Sequence, residues 1–392
     1  MWTDKGRQFD GIGNLFQGKN IIIYGAGTFG ESLYDKLQFL DCVDAFVDRN
    51  EILQASGCRG KSVFSVLDFT KMDKAKYIVI IAASETNSTY ILTQLLHFGW
   101  SLGENCFLMN SFIDYYLSIY AVYAKNIVYF PSISFLVTTK CNLNCKACLN
   151  FTEFNKNPRH YDVDQLKKNT NSFFKAIDRV GKFHISGGEP FLFPEYIEII
   201  RYVYYNYGGR IENIYTATNG TVLPSPELCK TFKECNVFVE VDDYRETLPE
   251  GRRKNDEIIA MFREYDICFS DRKSTYWIDL SPMSWDNSSL NNSELADYYT
   301  ACNNPFASVH NGALYSCNYD DYAKEAGIVE HDDKDIFLLD TNESICKKEL
   351  VEFRHGYTDR GYLQFCRRCA GHEMTNRRHV KVAVQNKGGT RL

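Results

Sequence analysis

The stretch "CNLNCKACLN" (Cys141–Asn150) places three cysteines, Cys141, Cys145 and Cys148, at C-x3-C-x2-C spacing. The apolar run before it, "FLVTT" (Phe135–Thr139), reads as a strand, so the cysteines occupy a loop at that strand's C-terminal end. Zinc sites generally take four protein ligands, or three plus water, often as paired C-x-x-C knuckles. Three thiolates with no fourth cysteine or histidine nearby suit a cubane better, because they hold three irons and leave the fourth open.

Around this loop, strands alternate with helices. The length, 392 residues, accommodates two or three domains at roughly 100–200 residues each. Before the loop, "NIIIYGAGTFG" (Asn20–Gly30), "VDAFVDRN" (Val43–Asn50) and "KYIVIIAAS" (Lys76–Ser84) read as strands, with helices at Glu31–Leu40 and Ser88–Gly99. This pattern predicts an N-terminal α/β domain with a parallel sheet over 1–110, followed by a helical linker over 111–130. After the loop, "KFHIS" (Lys182–Ser186), "NIYTATN" (Asn213–Asn219), "VFVEVDD" (Val237–Asp243) and "YWIDLS" (Tyr276–Ser281) read as further strands of a second alternating block, 131–290. A polar, turn-rich stretch at Ser284–Glu294 marks its end.

With 44% hydrophobic and 24% charged residues, the composition is that of a globular protein, and a net charge of -6 weighs against a nucleic-acid partner. The first residues lack the apolar run of a signal peptide, and runs such as Tyr77–Ala83 are far shorter than the roughly 18 residues that span a bilayer. The expectation is a cytoplasmic protein with no membrane contact. In that reducing setting the 14 cysteines read as ligands or packing groups rather than a disulfide framework.

Gly25, Gly27 and Gly30 form G-x-G-x-x-G between a strand and a helix, and Asp48 ends the next strand near the expected interval of roughly 20 residues. Such a turn brings backbone close to a pyrophosphate and aims a helix N-terminus at it. The same glycines also serve a turn that binds nothing; both readings stay open, and a nucleotide or nucleotide-sugar is the ligand class implied by the first.

On these residues the sequence resembles the radical S-adenosylmethionine (radical SAM) enzymes, which carry this cysteine spacing after the first strand of a partial (βα)6 TIM barrel. The resemblance implies a [4Fe–4S] cluster on Cys141, Cys145 and Cys148 whose open iron is chelated by SAM. One-electron reduction then cleaves SAM to a 5′-deoxyadenosyl radical that abstracts a substrate hydrogen. "HISGGEP" (His184–Pro190) looks like the family's GGEP segment, which assigns Gly187, Gly188 and Glu189 to the SAM amino group. "ATNG" (Ala217–Gly220) is similar to a segment lining the SAM pocket, with Asn219 as the contact. One departure is Ala147, where the family often has an aromatic residue against adenine.

Cys302, Cys317, Cys366 and Cys369 resemble the cysteines of a twitch domain, a shortened SPASM domain, and so imply one auxiliary [4Fe–4S] cluster over 291–375; a four-cysteine zinc site is the alternative. Cys346 lies between the pairs as a spare. Cys42, Cys58, Cys106, Cys229, Cys235 and Cys268 are expected to be packing residues. The basic stretch 376–392 is expected to be a solvated or partly disordered tail, with docking of an acidic electron donor such as flavodoxin or ferredoxin as a secondary role.

The expected activity is oxidation of a sugar or nucleotide-linked sugar in surface-polysaccharide or natural-product biosynthesis. The N-terminal Rossmann-like domain and a single-cluster layout similar to that of an aminosugar dehydrogenase motivate it. Epimerisation, peptide or protein modification, and a non-catalytic iron–sulfur or zinc scaffold are the alternatives.

Overall fold

The computed structural model describes residues 9–302, 304, 306–341, 344–356, 360–372 and 376–386. The chain divides into two compact units, 7–129 and 130–392.

In the first unit, β1 (Asn20–Tyr24), β2 (Val43–Val47), β3 (Ser62–Phe64), β4 (Tyr77–Ile81) and β5 (Cys106–Leu108) form one sheet in the order β3-β2-β1-β4-β5. Every pairing is parallel. Ile21, Ile22 and Ile23 are fully buried, as expected where helices cover both faces of a parallel sheet and strands become continuous apolar runs. At the end of β1, Gly25 turns at φ +112°, and a Cβ there would come within 2.4 Å of the Ala82 carbonyl oxygen.

The linker expected at 111–130 is instead part of this unit. Met109–Ser111, Phe112–Tyr116 and Leu117–Lys125 run as consecutive helical segments. Phe112, Tyr116 and Tyr120, four residues apart, gather around Phe16 with ring centroids 5.6–6.4 Å away. That aromatic face binds the helix to its own unit.

The second unit is built on an eight-stranded sheet. It comprises β6 (Tyr129–Thr138), β7 (Arg179–Gly187), β8 (Ile211–Thr218), β9 (Val237–Asp242), β10 (Phe269–Arg272), β12 (Ala307–His310), β13 (Ala313–Tyr315) and β14 (Ile336–Leu338). The order is β10-β9-β8-β7-β6-β12-β13-β14. Between β6 and β10, helices Val163–Ala176, Tyr196–Tyr207, Pro226–Glu234 and Asn255–Glu264 connect successive strands. The first of these starts where the Asp162 carboxylate accepts from the Gln165 N–H (2.9 Å). It buries Leu166, Phe173 and Phe174, and Phe173 sits against Phe130 and Phe183.

Three expectations change. The strand expected at 276–281 appears as β11 (Tyr276–Ile278), but it leaves the large sheet and pairs antiparallel with β15 (His379–Lys381). Its place beside β9 is taken by β10, "FSDR", whose polar composition hides it from hydrophobic patterning. The segment assigned to an auxiliary domain also shares this eight-stranded sheet, because β12 pairs in parallel with β6. Finally, the stretch expected to be a solvated tail is structured through Asn386: β15 is a strand, and Val382 and Ala383 are buried. Its "HVKVAV" alternation supplies the apolar groups; residues 387–392 lie outside the described residues. No helix among the described residues is long and apolar enough to cross a membrane.

Candidate functional site

Cys141, Cys145 and Cys148 follow β6 in one loop and share a packed cluster with Leu143, Tyr244, Leu248, Val382, Ala383 and Trp277. The donors that reach the sulfurs belong to chain elements far apart in sequence. Cys141 Sγ accepts from the Leu143 N–H (3.4 Å) and lies 3.7 Å from Asn219 Nδ2, while Cys145 Sγ accepts from Gln385 Nε2 (3.1 Å). Burial, and after it Glu189, pushes the Cys141 thiol well up. Burial, then Cys148, pushes Cys145 up to about 12. Burial of this kind favours the neutral thiol, and a bound cationic centre would favour the thiolate.

The loop is locked to the end of β7. The Gly188 N–H donates to Thr138 O (2.9 Å) and the Glu189 N–H to Lys140 O (2.9 Å). A Cβ on Gly188 would lie 2.3 Å from the Lys140 carbonyl oxygen, so the close approach requires glycine. Glu189 is fully buried and accepts from the Thr218 hydroxyl (2.9 Å), the Asn219 N–H (2.8 Å) and the Phe191 N–H (3.1 Å). Burial raises its carboxyl to about 7 despite these bonds. Its carboxylate thus ties β7 to the end of β8 and sets Asn219 beside Cys141.

One face of the sheet carries alternating partly exposed residues. Lys182 and His184 project from β7 and Phe238, Glu240 and Asp242 from β9, and between them on β8 lies the buried Tyr215, opposite both His184 and Phe238 in register. The Tyr215 and Phe238 rings stack at 5.9 Å, Lys182 Nζ lies 4.4 Å above Tyr215, and Arg272 bonds Glu240 at 2.8 Å. Burial, then Lys182, holds His184 down to about 3, so it is neutral. Burial raises Asp242 to about 6. Phe306 packs on His184, and the Tyr322 hydroxyl bonds Ser134 (2.6 Å), so the later segment covers part of this same face. Strand alternation in "KFH" is the signal that points to Lys182 and His184; nothing local points to Tyr322 or Gln385.

Cys302 ends the helix Asn292–Ala301, Cys317 begins the helix Asn318–Glu325, and Cys366 and Cys369 flank the end of the turn Gln364–Arg368. Each of Cys317, Cys366 and Cys369 is pushed up by burial first and also by other thiols of the four, which places them as one group. His372 N–H, Gly371 N–H and Asn304 Nδ2 donate to the sulfurs of Cys302 (3.4 Å), Cys369 (3.3 Å) and Cys317 (2.9 Å). Cys346 is exposed at the start of the helix Lys347–Arg354, and Cys268, expected to be a packing residue, is exposed. Phe151, after the first cysteine loop, meets Phe365, beside the second set, at 5.4 Å.

Among the described residues no three His, Cys, Asp or Glu side chains converge closely enough to hold a single metal ion.

In the N-terminal unit, a Cβ on Gly30 would lie 1.9 Å from Gly25 O, whereas Gly27 faces open space. Asp48 accepts from the Ala26 N–H (2.9 Å) through one oxygen, bracing the turn, and from the Asn50 N–H (2.9 Å) through the other, at the start of the helix Glu51–Ser56.

Residues 135–265, about a third of the chain, match the family model of the Radical SAM superfamily. That span contains the cysteine loop, the Gly187–Glu189 turn and Asn219, and it is a radical SAM domain, the catalytic domain of enzymes that use a [4Fe–4S] cluster and S-adenosylmethionine and require an electron donor. No curated protein sequence matches the chain. Similar solved structures include native anSMEcpe with bound AdoMet and Cp18Cys peptide (14% identity, 66% of this chain and 92% of that one, TM-score 0.37). BtrN in complex with AdoMet and 2-DOIA (19%, 66% and 96%, TM-score 0.37) is another. A third is Streptococcus suis SuiB bound to S-adenosylmethionine (12%, 59% and 71%, TM-score 0.26).

The donors on Cys141 and Cys145 suit thiolate ligands of the implied cluster, with Cys148 completing the set. When bound, that group supplies one-electron reduction of SAM at an open coordination position.

Proposed function

We propose that this radical SAM enzyme abstracts a hydrogen from a sugar or nucleotide-linked sugar and yields an oxidised product. The observation that carries the reading is the polar sheet face whose Asp242 accepts from the hydroxyl of Tyr244 (2.7 Å), a member of the cysteine-loop cluster. Lys182, His184, Glu240, Asp242 and Arg272 offer charged and neutral hydrogen-bonding groups, while Phe238, stacked on the buried Tyr215, offers an apolar ring face. Sugars present both kinds of surface, hydroxyl edges and C–H faces.

In this proposal Cys141, Cys145 and Cys148 hold the SAM cluster, Gly187, Gly188 and Asn219 line the SAM pocket, and Glu189 keeps Asn219 in place. Cys302, Cys317, Cys366 and Cys369 ligate an auxiliary [4Fe–4S] cluster that accepts the electron left on the substrate radical. Their four-thiol complement and the presence of the first cysteine set in the same chain support iron. The β3-β2-β1-β4-β5 order and the open Gly27 support a Rossmann-like nucleotide site in the N-terminal unit.

The test is anaerobic reconstitution, reduction with dithionite and incubation with SAM and a panel of nucleotide sugars. The expected result is substrate-dependent 5′-deoxyadenosine together with a product two mass units lighter, both abolished by Cys141→Ala. An unchanged-mass, inverted product would replace oxidation with epimerisation. Product on a peptide but on no sugar would overturn the substrate class, and no SAM cleavage by the iron-loaded protein would leave a scaffold.

A further inference from the structure

Residues 382–386 run along the loop that carries Cys145. Cys145 and Gln385 form an antiparallel bridge, with the Lys146 N–H donating to Val384 O (2.8 Å) and the Asn386 N–H to Asn144 O (2.8 Å). Val382 and Ala383 are buried in the same cluster as Leu143 and Tyr244. Asn386 Nδ2 donates to one oxygen of Glu153 (3.0 Å), whose other oxygen accepts from the Ala147 N–H (2.8 Å). Ala147 has a positive φ of 52°, so this bond steadies the loop where its backbone is least favourable.

Gln385 makes the contact with the most chemical consequence. Its Oε1 accepts from the Asn144 N–H (2.8 Å), and its Nε2 donates to Ala383 O (2.8 Å) and to Cys145 Sγ (3.1 Å). A backbone N–H only donates and a backbone carbonyl only accepts, so these two partners fix which way the amide points. The N–H is therefore aimed at sulfur by geometry rather than by choice of rotamer.

We propose that Gln385 is a positioning residue for the cluster at Cys141, Cys145 and Cys148, and that its N–H on the Cys145 sulfur raises the cluster's reduction potential. This rests on the assignment of that loop to the SAM cluster. A hydrogen bond to a thiolate ligand favours the more electron-rich, reduced state, and removing it makes reduction harder. Gln385 thus counters the burial that otherwise disfavours added negative charge.

Gln385→Glu separates tuning from support. The carboxylate keeps an acceptor for Asn144, loses the donor to sulfur and adds negative charge beside it. In the full-length, anaerobically reconstituted protein, the readout is iron content and an EPR-monitored redox titration of the signal that SAM perturbs. The expected result is wild-type iron content with a midpoint shifted to more negative potential, and a smaller shift in the same direction for Gln385→Leu. An unchanged midpoint at full iron content overturns the proposal. So does loss of that signal from a variant still folded by circular dichroism, which would assign Gln385 to holding the loop alone. A measurement needing no variant is pulsed EPR on wild-type protein carrying heavy nitrogen in its glutamine side chains: coupling to the SAM-responsive cluster is expected, and its absence overturns the contact. Wild-type protein that shows no SAM-responsive iron signal would instead overturn the cluster assignment beneath the proposal.

Discussion

Glu189 shows how one buried carboxyl can hold a site together and tax the fold at the same time. Three donors converge on it, yet burial still lifts its carboxyl from 4.5 to about 7. The folded state therefore binds its proton more readily than the unfolded chain does. Its contribution to stability is complete below about 4.5 and is lost as pH rises through about 7. Urea unfolding of the metal-free protein should accordingly show a stability decline across that window, and Glu189→Gln should flatten it. An equally steep decline in the variant would place the titration elsewhere. Gly188 bears the complementary constraint, since the Lys140 carbonyl occupies the space a methyl group needs. Both residues were legible in "GGEP", but their physical roles were not: the motif names them, and only the approach of Lys140 and Asn219 explains them.

Among the elements, long apolar strands such as β1 and β6 declared themselves, because burial on both faces writes a continuous hydrophobic run. Short ones did not. β10 is polar, and β11 belongs to a two-stranded ribbon whose partner lies about a hundred residues later, a pairing that no local window contains. The same holds for the segment after β15, where basic residues mask the alternating valines. Burying a charge at one of those valines should dislodge the segment at a cost of several kcal/mol, roughly that of an unpaired buried carboxylate. For Val382→Asp the expected outcome is reduced iron at the first cysteine set with little change in helical circular dichroism. Full iron loading would mean that the cysteine loop keeps its shape without the segment.

At the scale of the second unit, the two cysteine sets border one sheet. β12 continues that sheet from β6, and the Phe151–Phe365 contact links the region after the first set to the second. Spacing marked both sets as candidate ligands, since ligand chemistry constrains cysteines more tightly than folding does. The shared sheet could not be read, because a parallel pairing between β6 and β12 leaves no mark in either strand's own sequence. Cys366→Ser should remove one cluster's worth of iron and leave dithionite-driven SAM cleavage intact, while abolishing the oxidised product. Undiminished product would assign the second set to structure alone.

The contact between Gln385 and Cys145 spans 240 residues. A ribosome makes the cysteine loop well before it makes the segment that braces it, and domains take shape as the chain emerges. Nascent protein therefore holds three exposed, unbraced thiols for the seconds needed to synthesise the rest, when oxidation or a stray metal meets least resistance. Cluster delivery to this chain is best timed after release, and any expression host must protect those thiols until then.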